Sequence, residues 1–345
     1  MTSTTSRGDG RQRVTIRTIA AAANTSPATV SRVLNGTRPV SEDLRVRVED
    51  ALRQHDFRPN PMARALKGLS TLTIGVVISD FANPFFTAVV RGVEDVALAA
   101  KHSVILCNSD EQPEREQQYL ELLHNKRIEG VIASPTDDSH PDVYRALGDT
   151  PIVLIDREVP GLRADVVRVD NFRGAHDAVT YLIGLGHERI ATIAGPTSVT
   201  TGQERLKGYT RALEEAGIAV DDRLVHFGNF KQESGYDLAQ RLLASDPAPT
   251  AVFVANNLMT LGAMIAFNEA GVEIPAELSV VGFDDVDWAT LTRPQLTVVA
   301  QPAYEVGADS AELLLRRMNE GNGSKRRTLL LTPELIVRDS TAPPP

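Results

Sequence analysis

SPATVSRVLNG, residues 26–36, reads as a short helix with both ends marked. Ser26 is placed to cap, Pro27 suits the first helical position and Gly36 stands where a helix stops. Upstream, TIRTIAAAA (15–23) is rich in helix formers behind a capping Thr15, and Asn24-Thr25 breaks the run. Downstream, SEDLRVRVEDALRQH (41–55) carries Leu44, Val48, Ala51 and Leu52 along one apolar stripe at helical spacing. Three short helices with a tight turn between the first two make a helix-turn-helix unit.

The faces of the second helix divide by chemistry. Val30, Val33 and Leu34 point one way; Ala28 and Arg32, four apart, share the opposite face and could enter a major groove. The Arg32 guanidinium is a planar fork suited to guanine O6 and N7, whereas Pro27 and Ala28 can meet only shape or a thymine methyl. Ser26, Thr29, Ser31 and Asn35 are short polar groups suited to phosphates. Charge supports the same reading: residues 1–70 hold 12 Lys and Arg against 6 Asp and Glu, while the remaining 275 residues hold 24 against 39. The overall charge of −9 thus conceals a basic front built to meet an anion.

The segment VTIRTIAAAANTSPATVSRVLNGTRPVSEDLRVRVEDALRQHDFRPNPMARALKG, residues 14–68, closely resembles the DNA-binding segment of the LacI/GalR family. The resemblance implies that Ser26, Pro27, Ala28 and Arg32 face an operator. It also implies that the stretch after Asn60, NPMARALK, forms a hinge helix that pairs with its dimer mate in the minor groove, with Leu66 as an apolar wedge that bends the DNA. A helix of about two turns is marginal in water by itself, so it should be switchable by a small bias. The expected DNA-contacting set is Thr15, Ser26, Pro27, Ala28, Thr29, Ser31, Arg32 and Asn35, with Asn60, Leu66 and Lys67 from the hinge. The expected organisation is a disordered tail over 1–13, the helix-turn-helix domain over 14–59, the hinge over 60–69 and a sensor domain over 72–340.

From Leu72 onward apolar strands alternate with helical stretches. A first series contains TLTIGVVIS, SVILCNS, GVIAS and PIVLID; a second contains VVRVD, RIATIAG, LVHFG, AVFVAN and LSVVGFD. Such alternation demands right-handed crossovers and parallel sheets covered on both faces, and two series mean two doubly wound subdomains. Their expected spans are 72–171 with 302–328, and 172–300 with 329–340. In sheets of this type ligands bind beyond the carboxyl ends of the strands. Those positions hold Asp80 with Asn83-Pro84-Phe85-Phe86, Asp156-Arg157, Arg205, Phe230, Asn256, Asp284 and Gln301. Carboxylates, amides and guanidinium groups with Phe walls suit a polyhydroxylated ring with apolar C–H faces.

Residues 72–338 are similar to the periplasmic sugar-binding proteins, ribose-binding protein in particular, in the strings NPFF, IDR, QERLKGY, NFKQESG, ANN, GFDD and VVAQP. The resemblance implies that Asn83, Phe85, Phe86, Asp156, Arg157, Arg205, Phe230, Asn256, Asp284 and Gln301 contact ribose or a close pentose. A purine is disfavoured, because the arginine of the purine-responsive family member falls at Val199. The family usually has Asn-Asp where this chain has Asn256-Asn257. A hexose, a sugar phosphate or a nucleoside remains the alternative effector.

Competing chemistry leaves little trace. The seven histidines are at least eleven residues apart, no GxxxxGK[ST] phosphate loop or GxSxG elbow occurs, and the single Cys107 lies in an apolar strand-like run. A sugar-processing enzyme is therefore disfavoured, and neither a cofactor nor a metal is expected. No apolar run approaches the roughly 18 residues of a membrane span, and the polar start through Arg13 lacks the apolar core of a secretory signal, so a cytoplasmic protein is expected. Helix-turn-helix units read palindromic operators as pairs, and the end TAPPP carries no leucine heptad, so a homodimer is expected.

Overall fold

The computed structural model describes residues 14–35, 39–57, 71–138, 140–321 and 325–345. The expected tail and hinge lie outside the described residues. The chain divides into two units, residues 1–71 and 72–345.

In the first unit, α1 (Ile16–Ala22), α2 (Pro27–Asn35) and α3 (Glu42–Gln54) follow the sequence pattern. Thr15 forms a capping box with Thr18, and the Ser26 hydroxyl accepts the Thr29 amide at 3.1 Å. Asn24 makes the turn between α1 and α2 in the left-handed region, φ 48°. Ile19, Ala20, Ala23, Val30, Val48 and Ala51 form a small core, with Val33, Leu34 and Leu52 packed around it. Burying each aliphatic side chain stabilises the unit by roughly 1.5–3 kcal/mol. These contacts close the three-helix arrangement.

The second unit holds two six-stranded sheets. The first contains β1 (Thr73–Ile78), β2 (Ser103–Asn108), β3 (Gly130–Ala133), β4 (Ile152–Ile155) and β5 (Asp165–Val169), joined by β11 (Thr328–Leu331), in the order β11-β5-β4-β3-β1-β2. The second contains β6 (Ile190–Ala194), β7 (Val225–Phe227), β8 (Ala251–Val254), β9 (Ser279–Phe283), β10 (Thr297–Ala300) and β12 (Glu334–Ile336), ordered β12-β10-β9-β8-β6-β7. All pairings are parallel except that of β10 with β12. Central strands such as IVLI and AVFV are buried throughout because helices cover both faces.

The helices of this unit are α4 (Pro84–Ala99), α5 (Pro113–Asn125), α6 (Asn171–Gly184), α7 (Thr200–Glu215), α8 (Gln232–Leu243), α9 (Asn257–Glu269) and α10 (Ala303–Glu320). The chain crosses between the lobes three times: after β5, after β10 and after β11. One boundary and one strand grouping differ from the sequence reading. VVRVD is grouped with the second strand series, yet β5 pairs with β4 in the first sheet, inside the expected first span of 72–171. The return to the second lobe also comes later than residue 329, because all of Thr328–Leu331 pairs with Val166–Val169. A buried ion pair fixes that edge: Arg317 on α10 grips Asp165 at 2.6 Å, and Asp165 also accepts the Arg327 amide at 2.8 Å.

Candidate functional site

The first unit presents the expected outward face. Ser26, Pro27, Ala28 and Arg32 are exposed, Thr29 and Ser31 are half-buried, and Val30 faces the core. Thr15 is exposed, but its hydroxyl is engaged in the capping box with Thr18. Asn35 closes α2 with its side chain undescribed; Asn60, Leu66 and Lys67 lie outside the described residues.

In the second unit, all ten residues read from the sequence as ligand contacts line one cavity between the lobes. The first lobe contributes three strand ends. After β1, Asn83 caps α4 by accepting the Phe85 amide at 2.9 Å, which directs Phe85 and Phe86 inward as an edge-to-face pair with centroids 5.1 Å apart. After β4, Asp156 takes a left-handed backbone, φ 65°, and Arg157 follows it. The Arg157 guanidinium is held in two parallel bonds by Glu111, each 2.7 Å, and donates to the Pro135 carbonyl at 2.8 Å.

The second lobe answers with Arg205 on α7. Its Nε donates to Asn171 at 2.8 Å and its Nη1 to the Ala255 carbonyl at 2.5 Å, while its guanidinium carbon lies 3.7 Å from the Phe283 ring centre. Phe230 forms the wall between the two arginines, with their guanidinium carbons 5.8 and 6.0 Å from its ring centre. Gly195 makes room for that ring: a Cβ there would stand 2.3 Å from it. Asn256 accepts the Met259 amide as the cap of α9 and donates to the Phe230 carbonyl, so its oxygen starts the helix while its amino group holds the wall. Asp284 accepts from Asn257 Nδ2 at 2.7 Å and from Gln301 Nε2 at 2.5 Å. Phe230 and Asp284 are left-handed as well, at φ 64° and 78°.

Burial pushes Asp156 up to about 6, against the pull of Arg157 and Arg205. Burial works against the charge on Arg157, but Glu111 outweighs it and the pKa is raised. Arg205 has only neutral direct partners; burial lowers its pKa, with Asp284 and Asp156 opposing. Buried Thr201 Oγ1, Asn257 Oδ1 and Gln301 Oε1 have no hydrogen-bond partner in the protein, and Arg157 Nε has only the ion-pair contact with Asp156 at 3.5 Å, leaving donor and acceptor capacity around the cavity. The cavity itself measures about 20 Å³, room for roughly one water.

Asp80, Glu111 and Thr201 also line the cavity. Asp80 had been noted at its strand end, but Glu111 and Thr201 were missed. Glu111 lies in the loop after β2 and Thr201 in the first turn of α7, the helix that follows β6, so the strand-end rule would have found them. Asn257, at the position of the noted departure, bridges the lobes by donating to Asn83 Oδ1 at 2.7 Å. Among the described residues no cluster of His, Cys, Asp or Glu could hold a metal, and no helix is long and apolar enough to cross a membrane. Cys107 is buried, and burial pushes its thiol up to about 11, which suppresses the reactive thiolate.

A helix-turn-helix unit joined to a two-lobed cleft lined by hydrogen-bonding groups defines a ligand-responsive DNA-binding regulator. Residues 15–60 match the bacterial regulatory proteins of the lacI family, and residues 179–341 match the periplasmic binding protein-like domain. The HTH-type transcriptional regulator DegA of Bacillus subtilis is 36% identical over 96% of this chain and 99% of its own length. The lac repressor dimer bound to operator and the anti-inducer ONPF is 30% identical, with a TM-score of 0.85 over 96% of this chain and 100% of that one. A LacI family regulator from Enterococcus faecium with bound ribose is 32% identical, with a TM-score of 0.70 over 79% of this chain and 99% of that one. The chain belongs to the LacI family, and its relatives are transcriptional regulators, not enzymes.

Proposed function

We propose that this protein is a cytoplasmic repressor of sugar-utilisation genes whose hold on a palindromic operator is controlled by ribose or a close pentose bound between the sensor lobes. The carrying observation is the cavity's charge: Asp80, Glu111, Asp156 and Asp284 face it against Arg157 and Arg205, with Lys231 answering Asp80 from outside the lining, so carboxylates remain in excess by one. Acceptors in excess suit the hydroxyls of a neutral sugar, while a phosphate would add negative charge to a carboxylate-rich site. The phenyl faces supply the apolar walls. The ribose bound by the Enterococcus faecium regulator supports the same ligand class. A thermal-shift screen of D-ribose, hexoses, ribose 5-phosphate and nucleosides tests this, with the largest shift expected from D-ribose. A larger shift with the phosphate or a nucleoside overturns the neutral-pentose reading.

On the DNA side, Arg32 is the base reader, so Arg32→Ala lowers specific operator affinity by about 1–3 kcal/mol while D-ribose binding is retained. Equal operator affinity in a binding assay at fixed salt rejects this role. The protein acts as a homodimer, supported by the paired geometry of helix-turn-helix recognition. Light scattering that gives a tetramer at micromolar concentration contradicts it. Effector coupling to the operator is expected to be about 1–3 kcal/mol, a 5–150-fold change in affinity.

A further inference from the structure

Lys231 lies outside the cavity lining, yet it makes an ionic connection across the cleft. It follows the wall residue Phe230 and precedes α8, on the lobe of the second sheet. Its ammonium group reaches the other lobe at two separate strand ends, donating to Asp80 Oδ2 after β1 at 2.6 Å and to Asp110 Oδ1 after β2 at 2.8 Å. Asp80 is itself a cavity residue, and its other oxygen accepts the Ala82 amide at 2.8 Å. The second oxygen of Asp110 faces Arg115 and Gln112, each at 3.5 Å. Asp110 and Glu111 both take left-handed backbones, φ 53° and 56°. This turn presents Asp110 to Lys231 and Glu111 to Arg157 from adjacent positions.

We propose that Lys231 is the latch of the cleft: a positioning residue that ties the second lobe to Asp80 and Asp110, holds the cavity closed, and sets how fast a sugar can leave. The proposal rests on the sugar-site reading of the cavity, whose small volume requires opening for entry and exit. The ammonium is partly buried, at 28% side-chain exposure, and its partners Asp80 and Asp110 stand at 8% and 38%. Such a contact is shielded enough to hold and open enough to be screened by salt. Burial lowers the Lys231 pKa, but the bonds to Asp110 and Asp80 outweigh it and the net shift is upward. The latch therefore stays charged at neutral pH and responds to ionic strength. Breaking one member of such a charge pair acts chiefly on dissociation.

Hydrogen exchange on the full-length protein without sugar tests the latch first. The amides of Ala82 and Asn257, which bond to carboxylates at the cleft, should exchange about 5-fold faster in Lys231→Met and at the original rate in Lys231→Arg. Unchanged exchange in Lys231→Met overturns the proposal. Stopped-flow release of D-ribose then tests the pairing. Lys231→Met should release it about 5-fold faster, Asp110→Asn by a smaller factor, and the double variant no faster than Lys231→Met alone. Independent, multiplying effects overturn the Asp110 pairing. If the unaltered protein binds no D-ribose, the sugar reading fails, while the exchange result still decides the latch.

Discussion

Arg157 and Arg205 face one cavity from opposite lobes and are held in opposite ways. Arg157 is matched by a carboxylate: Glu111 takes both of its terminal nitrogens. Arg205 is fixed by an amide, a carbonyl and the face of Phe283, all neutral. The first lobe therefore presents a guanidinium whose charge is largely answered, and the second presents one whose charge is oriented but left for Asp156, Asp284 and the ligand. The lesson is that residue identity does not set a role. The atoms that fix an arginine decide whether it braces the wall or binds.

Removing the unmatched charge should have the largest effect. Arg205→Met deletes two charge-assisted bonds and strands the Asn171 and Ala255 acceptors, so D-ribose affinity should fall about 100-fold or more by calorimetry. Retained affinity would erase the distinction between the arginines. Next comes the matched side. Glu111→Gln leaves Arg157 buried without its counter-charge and should lower stability by about 1–3 kcal/mol in urea denaturation, the partial exposure of Glu111 keeping the loss below that of a fully buried pair. A variant as stable as the original protein would show that Arg157 needs no carboxylate.

The smallest expected effect is that of pH. With Asp156 at about 6, its neutral form dominates below that value, and a neutral carboxyl is a poorer acceptor for sugar hydroxyls. D-ribose affinity should fall roughly tenfold from pH 7 to 5, and Asp156→Asn should flatten the profile. The sign for stability is opposite. A carboxyl whose folded pKa is raised contributes stability that is full below the unfolded value of 3.8 and is lost as pH rises through about 6. Above pH 6 the charged Asp156 is a folding cost.

Much of this layout was legible before any coordinates. Caps at Thr15 and Ser26 are local chemistry, written in consecutive residues, and α1 and α2 follow them closely, while the stop expected at Gly36 lies outside the described residues. The pocket residues were legible for a different reason: each stands just after a recognisable apolar strand or on the first two turns of the helix that follows it, so one topological rule gathers positions as distant as Asn83 and Gln301. What escaped was pairing. Nothing in the string NSDEQ tells Glu111 to grip a guanidinium 46 residues later or Asp110 to meet Lys231 in the other lobe, because the first contact depends on strand order within one sheet and the second on the crossing of the chain between lobes. VVRVD is grouped with the second strand series even though the expected first span, 72–171, contains it, since a buried parallel strand reads the same in either sheet.

The left-handed backbones at Asp156, Phe230 and Asp284 also constrain how this cleft can change under selection. Asp, Asn and Gly adopt such conformations readily, whereas branched side chains meet a steric cost of about 1–3 kcal/mol. Single substitutions at Asp156 and Asp284 are thus channelled toward Asn and Gly, which remove a charge but add no bulk. Gln301 and Thr201 carry no such backbone restriction. New effector preferences in this lineage should therefore arise more readily by reshaping the cavity from Gln301 and Thr201 than from the carboxylates at its centre.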